Sequence, residues 1–315
     1  MSEITHDDIV QFVIEKVNLP PDTAKKHRKQ VNDLRERLEA KIHEDPAFDL
    51  IKMLHAGSVA KGTALRKVND LDVAVYVETG AAPKADSQLV PWLAARLAEA
   101  NPNMHPDQFE PQPHCVTINF RGSGLNVDVV PVLYEGGADE CGWLVRKGNG
   151  DRVLTSIPLH LKFISDRKRL YGDEYKQLIR IVKWWKREKE LRFKSFMIEL
   201  LWARLAATSA SLADYPAALE DFFTYIVKSG LKERVFFTDH YAAASLPARN
   251  TGVIEIFDPV NPDNNIAKNY AEADRQAIVT AAHEALDAIG EAKYATTKYE
   301  AVECWQDIFG RGFKG

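Results

Sequence analysis

Hydrophobic and polar positions along the chain fall into three successive patterns. From Thr23 to Ile42, Ala24, His27, Val31, Leu34, Leu38 and Ile42 recur at spacings of three and four, the stripe of a long amphipathic helix. It opens after "LPPD", a proline-marked start for which Asp22 is the expected cap. The second pattern has period two. Leu71, Val73, Val75 and Val77 alternate in "DLDVAVYV" (70–77), as do Leu125, Val127 and Val129 in "LNVDVVPVL" (125–133). Successive strand side chains point to opposite faces, so both segments predict strands with one apolar face. A helical start near Gly57 and a helix near 86–100 interleave with them. "HCVTINF", "RGSG" and "LNVDVVPVLY" (114–134) predict a hairpin closed by a Gly-Ser-Gly turn. Beyond Pro158 helical periods dominate, over 159–230 and 271–309, around a loop region near 232–265. The shift divides the chain into an α/β part, 1–160, which includes the long N-terminal helix, and a helical part, 161–315. No internal repeat or low-complexity linker is present.

With 315 residues, 45% of them apolar, the chain is an ordinary folded protein of about two domains. No stretch approaches the roughly 18 uninterrupted apolar residues of a membrane span. "MSEITHDDIV" also lacks the basic and apolar regions of a secretory leader, so a cytoplasmic protein with no membrane partner is expected. Cys115, Cys141 and Cys304 are widely spaced, which indicates neither a disulfide framework nor a zinc site; a buried, inert role is expected. His114, with no second ligand nearby, reads as a packed or surface histidine. A net charge of −4 argues against coating nucleic acid indiscriminately. Residues 161–195 nevertheless hold twelve Lys and Arg against five Asp and Glu. Such a block is either a set of solvated helix faces or a surface for polyphosphate or nucleic-acid backbone. "KKHRK" (25–29) raises the same question.

Chemistry enters with Asp70 and Asp72, which share the face opposite the strand's apolar row. Adjacent carboxylates repel, and a hard divalent cation compensates that repulsion. Asn126 and Asp128 repeat the arrangement, so if the two strands are neighbours Asp128 supplies a third carboxylate. Three such groups can hold two Mg2+ ions, or Mn2+, roughly 3.5–4 Å apart, the spacing that clamps attacking and leaving oxygens in phosphoryl displacement. Gly57 lets backbone approach a phosphate, Ser58 donates a hydroxyl, and "VAKGT" can open a helix whose N–H groups favour anions. Lys61 and Arg66 add positive charge.

Gly57-Ser58, eleven residues, Asp70-Leu71-Asp72 and a later Asp128 together resemble the signature of the DNA polymerase β-like nucleotidyltransferase superfamily. "LIRIVKWWKRE" (178–188) is similar to the helix that carries a phosphate-binding lysine in oligoadenylate synthetases, which maps that role to Lys183. "KSFMIELL" (194–201) resembles their serine-aromatic helix, giving Ser195 as a phosphate contact and Phe196 as a base-stacking residue, with phenylalanine where many relatives have tyrosine. "DPVNPDNNIA" (258–267) resembles their D-P-x-x-P-x-N-N element and makes Asn264 and Asn265 nucleotide-binding candidates. From about residue 8 to residue 310 the chain looks like a bacterial CD-NTase, a cyclic-oligonucleotide synthase of CBASS anti-phage systems, in the HORMA-associated branch. The resemblance implies an α/β fold: a polymerase β-like core with a mixed sheet, plus a C-terminal helical domain closing the active-site cleft. It also implies ATP as substrate, cyclic triadenylate as product, pyrophosphate release, a HORMA-domain regulator, an AAA+ remodeller acting on that complex and, in some members, duplex DNA as activator. Two other functions stay open on the residues. A non-cyclising transferase that tails RNA or modifies a small acceptor would use the same aspartates, and a catalytically dead nucleic-acid sensor would not need them. Singly, each candidate also has a plainer reading: strand-end aspartates satisfied by basic neighbours, a surface Lys183, a core Phe196, and Asn264 and Asn265 capping a helix.

Overall fold

The apolar stripe of the long helix is what seats it. In the computed structural model, which describes residues 3–45, 48–66, 70–137, 139–145, 152–208 and 212–315, this is α2 (Pro21–Glu44), with Val31, Leu34 and Leu38 buried. Asp22 is not its cap. The helix opens at Pro21 behind an extended Pro20, without a side-chain cap bond. A proline in the first turn has no N–H to satisfy, so the start is set by restricted backbone geometry instead.

Contacts divide the chain into two units, Leu19–Lys162 and Met1–Asn18 with Phe163–Gly315. In the first, α2 packs with α4 (Leu89–Ala100) against one face of a mixed sheet. Seven strands are found among the described residues: β1 (Leu50–His55), β2 (Asp70–Glu78), β3 (Phe109–Pro111), β4 (Val116–Phe120), β5 (Leu125–Gly136), β6 (Cys141–Val145) and β7 (Arg152–Thr155). The order β1-β2-β5-β4-β3 makes β2 and β5 parallel neighbours, while β6 joins β5 and β7 joins β6. The predicted hairpin is β4–β5, with Phe120 opposite Leu125 across the turn.

Leu71, Val73, Val75 and Val77 fill the main core, as the alternation requires. Ala74 and Tyr76 are buried too, in a second cluster with Val132 on the opposite face, where the Tyr76 hydroxyl donates to the Glu140 carbonyl at 2.9 Å. The strand is therefore covered on both faces along its second half, and its polar face is confined to its first residues. β1, β3, β6 and β7 were not expected from the sequence, being short or weakly alternating.

The second unit is helical: α1 (His6–Phe12), α5 (Ile157–Tyr171), α6 (Glu174–Glu188), α7 (Ser195–Ala206), α8 (Tyr215–Ser229), α9 (Glu272–Tyr294) and α10 (Lys298–Phe309), α5 starting just ahead of Phe163. Its core is aromatic, with Trp202 stacked on Phe222 at 4.6 Å and Trp185 beside Phe223 at 4.9 Å. The first eighteen residues belong here rather than with the α/β part where the sequence reading places them. Phe12 stacks on Phe309 at 5.1 Å and meets Phe313 edge-on, and these ring contacts tie the start of the chain to its end.

Candidate active site

Register builds the site. On the parallel pair β2–β5, Asp72 lies opposite Asp128, and Asp70 opposite Asn126. On the antiparallel pair β4–β5, Thr117 lies opposite Asp128. Thr117, Asp128 and Asp72 thus form one row across three strands, on the face away from the buried valines. The Thr117 hydroxyl donates to Asp128 Oδ1 at 2.7 Å. Asp72 is exposed and Asp128 half-buried. Asp70 has a described backbone, but its side chain, the third carboxylate expected from the sequence, lies outside the described residues. Among the described residues no three His, Cys, Asp or Glu side chains form a metal-holding group.

Gly57 is held against this row. Its amide neighbour Ala56 donates to the Asp72 carbonyl at 2.9 Å, and a methyl group built on Gly57 would sit inside the Asp72 carboxylate. The backbone there has φ +63°, in the left-handed region. Two independent demands, close approach and backbone conformation, therefore require glycine. α3 (Gly57–Lys61) follows as a single turn ending at Gly62. Ser58 and Lys61 are half-buried on it and Arg66 is exposed beyond it. At five residues it offers local N–H groups rather than the dipole of a long helix.

Cys115 adjoins the same row. Burial, then the charge of Asp128 and that of Asp72, push its thiol up to about 11, so the neutral S–H form persists beside Asp128. The thiols of Cys141 and Cys304 are also raised, burial being the largest cause. All three cysteines are half-buried rather than buried, and none is in a disulfide.

In the helical unit, Lys183 is 5% exposed on the inner face of α6, which removes the plain reading as a surface lysine. Ser195 opens α7. Phe196 is half-exposed while Met197, Ile198, Leu200 and Leu201 are buried, so it is not a core residue. Asn264 donates to Asp258 Oδ2 at 3.1 Å inside a turn-rich loop rather than a helix. Asn265 is a correction. Its amide N–H groups donate to Thr251 Oγ1 and the Ile254 carbonyl, and its Oδ1 accepts from the Ile256 and Ala267 amides. With both protons and both lone pairs spent inside the loop, this side chain holds the loop and has no hydrogen bond left for a nucleotide.

Half of the basic block is paired locally. Of its twelve cations, Arg167, Lys168, Arg169, Arg187, Lys189 and Arg192 each pair with a carboxylate of the same unit. Thr117 and Lys186 are residues that sequence reasoning passed over. Thr117 was within reach, because a turn that sets Phe120 opposite Leu125 also sets Thr117 opposite Asp128. Lys186, whose ammonium donates to the Ser195 hydroxyl at 3.1 Å, carries no local signal.

No protein-family model matches the chain. Among curated proteins it is 45% identical over 317 residues to the cyclic AMP-AMP-AMP synthase of Escherichia coli strain MS 115-1, covering 99% of this chain and 98% of that one. It is 31% identical over 323 residues to the CBASS oligonucleotide cyclase CdnC of E. coli strain KTE188, with the same coverage. Solved structures of E. coli MS115-1 CdnC, one with ATP and one in complex with HORMA-deltaN, superpose with a TM-score of 0.95 over 99% of both chains at 45% identity. Full-length identity of this order, on a fold whose register sets Asp72 opposite Asp128, shows that the chain belongs to the CBASS oligonucleotide cyclases, CD-NTase nucleotidyltransferases that make cyclic oligonucleotides.

Proposed function

We propose that this cyclase joins ATP into cyclic triadenylate as an anti-phage second messenger, releasing pyrophosphate at each step. The observation that carries the reading is Asp72 opposite Asp128 on parallel strands, with Gly57 pressed onto Asp72. The donor set fits a hard divalent cation: Asp72 and Asp128 present carboxylate oxygens in register, and the described partners of Asp128 are a hydroxyl and a neutral thiol rather than a cation. Asp70, Asp72 and Asp128 would hold two Mg2+ ions, or Mn2+, which when bound neutralise charge on the triphosphate and lower the pKa of the acceptor ribose hydroxyl.

The chain's own residues supply the rest. Gly57 admits the backbone to the phosphates, Ser58 donates its hydroxyl to them, and Lys61, Arg66 and Lys183 offset their charge. Thr117, by holding Oδ1, fixes the carboxylate of Asp128, which accepts the proton of the attacking hydroxyl. That oxygen bonds to the α-phosphorus as the bond to pyrophosphate breaks, so no covalent enzyme intermediate is needed. Ser195 contacts phosphate, Phe196 stacks on a base, and Asn264 contributes from its loop.

A HORMA-domain regulator is the proposed partner, supported by the complex solved for the 45% identical CdnC. The family resemblance alone extends this to an AAA+ remodeller and to duplex DNA. For DNA the remaining local support is Lys25, Lys26 and Arg28, exposed along α2, and a steep loss of affinity with salt is its signature. A cytoplasmic location is part of this reading; no described helix is long and apolar enough to cross a membrane.

The test is incubation of the full chain with ATP, Mg2+ and its HORMA partner, followed by mass spectrometry. A ring of three AMP units is expected, absent with Asp72→Asn. Linear tails or an adenylylated acceptor would overturn cyclisation, and unchanged turnover in Asp72→Asn would move the site elsewhere.

A further inference from the structure

The last turn of α6 carries a lysine that the proposed chemistry does not use. Lys186, half-buried on α6, donates to the Phe193 carbonyl at 2.7 Å and to Ser195 Oγ at 3.1 Å. Around it the backbone turns sharply. Glu190 has φ +50°, and the Leu191 amide returns to the Lys186 carbonyl at 2.9 Å. One ammonium therefore fixes both the strand of chain leading into α7 and the hydroxyl of its first residue. Ser195 accepts a hydrogen bond there, and among the described residues no acceptor takes the proton of its own hydroxyl. A hydroxyl that accepts from a cation is polarised toward donating, because successive hydrogen bonds strengthen one another. Lys186 thus leaves Ser195 oriented as a donor with an unspent proton.

We propose that Lys186 is a positioning residue for triphosphate binding, acting through Ser195: it aims the Ser195 hydroxyl at an acceptor oxygen of the substrate's phosphates without touching them itself. This rests on the reading of Ser195 as a phosphate contact. The alternative is that Lys186 only braces the loop. Bracing would affect every ligand and the fold alike, whereas positioning affects ligands in proportion to the phosphates they carry.

Affinity is measured on the full chain with Mg2+, using α,β-methylene-ATP as the triphosphate probe and AMP as the comparison, alongside thermal unfolding. Ser195→Ala and Lys186→Gln are each expected to weaken the triphosphate probe about tenfold, the size of one charge-assisted hydrogen bond, and to leave AMP within about twofold. The double variant should bind no more weakly than Ser195→Ala alone, since the second change removes a partner already lost. Lys186→Arg, which keeps charge and donors, should recover part of the loss, and Lys186→Met, which removes both at similar volume, carries the same cycle if Lys186→Gln fails to fold. If Ser195→Ala leaves the triphosphate probe unaffected, the phosphate role of Ser195 falls and this inference with it. If Ser195→Ala weakens binding but the Lys186 variants do not, or if their effects multiply, or if AMP weakens equally, the role of Ser195 stands and that of Lys186 is overturned.

Discussion

At the scale of single residues the site is set by what cannot be there as much as by what is. Gly57 has no room for a side chain because the Asp72 carboxylate occupies that space, and its φ of +63° is strained for any other residue. Gly57→Ala is therefore expected to cost about 1–3 kcal/mol of stability from the backbone alone. It should also lower turnover about 100-fold by displacing Asp72, since misplacement of about an ångström has that effect on catalysis. Denaturant unfolding and product formation measured on the same preparation check both parts; wild-type turnover would show that Asp72 tolerates the shift. Asp128 differs in being oriented by a neighbour, Thr117, rather than by a close fit.

Secondary-structure elements decide which side chains are free to act. The loop between α8 and α9 is held by Asn265, whose amide serves Thr251, Ile254, Ile256 and Ala267. Asn265→Ala leaves several buried backbone groups unpaired and is expected to destabilise the helical unit by about 2–4 kcal/mol. Its readout is a lowered unfolding midpoint; an unchanged midpoint would mean the loop closes without this side chain. The sequence pattern had singled out the Asn264-Asn265 pair without distinguishing its members. Only the hydrogen bonds separate them: those of Asn265 fill all four of its positions, whereas Asn264 is half-buried and donates to Asp258. In the same way the hairpin β4–β5 was legible from its alternation and turn, while β1, β3, β6 and β7 were not, because a strand that is very short or weakly alternating registers no period.

Over the whole molecule, much of the charge is paired within each unit, and six of the twelve cations of the basic segment have carboxylate partners there. The Arg167–Asp239 pair illustrates this. Two guanidinium contacts at 2.5 and 2.8 Å sit where Arg167 also covers Phe163 at 3.6 Å. The hydrogen bond from Arg167 holds Asp239 below its ordinary value of 3.8. A carboxylate depressed in the folded state contributes stability that is fully present above the unfolded value and lost as pH falls through the folded one. Asp239→Asn should thus be less stable than wild type by about 1–2 kcal/mol at neutral pH, with the gap closing as pH drops below 3.8. Unfolding at pH 7 and pH 2.5 measures this, and a gap that does not change with pH would rule the linkage out.

The sequence by itself determined the elements and the motif. Period and alternation gave α2, β2, the β4–β5 hairpin and the helical second part, and the spacing of Gly57-Ser58, Asp70, Asp72 and Asp128 named the chemistry, because side-chain direction along one element follows from its period. Tertiary structure decided what depends on contacts between distant residues. The parallel register that sets Asp72 opposite Asp128, the aromatic contacts that join residues 1–18 to the helical unit, the carboxylate that forbids a side chain at Gly57, and the bond from Lys186 to Ser195 all depend on which surfaces pack together, and no local pattern encodes that choice.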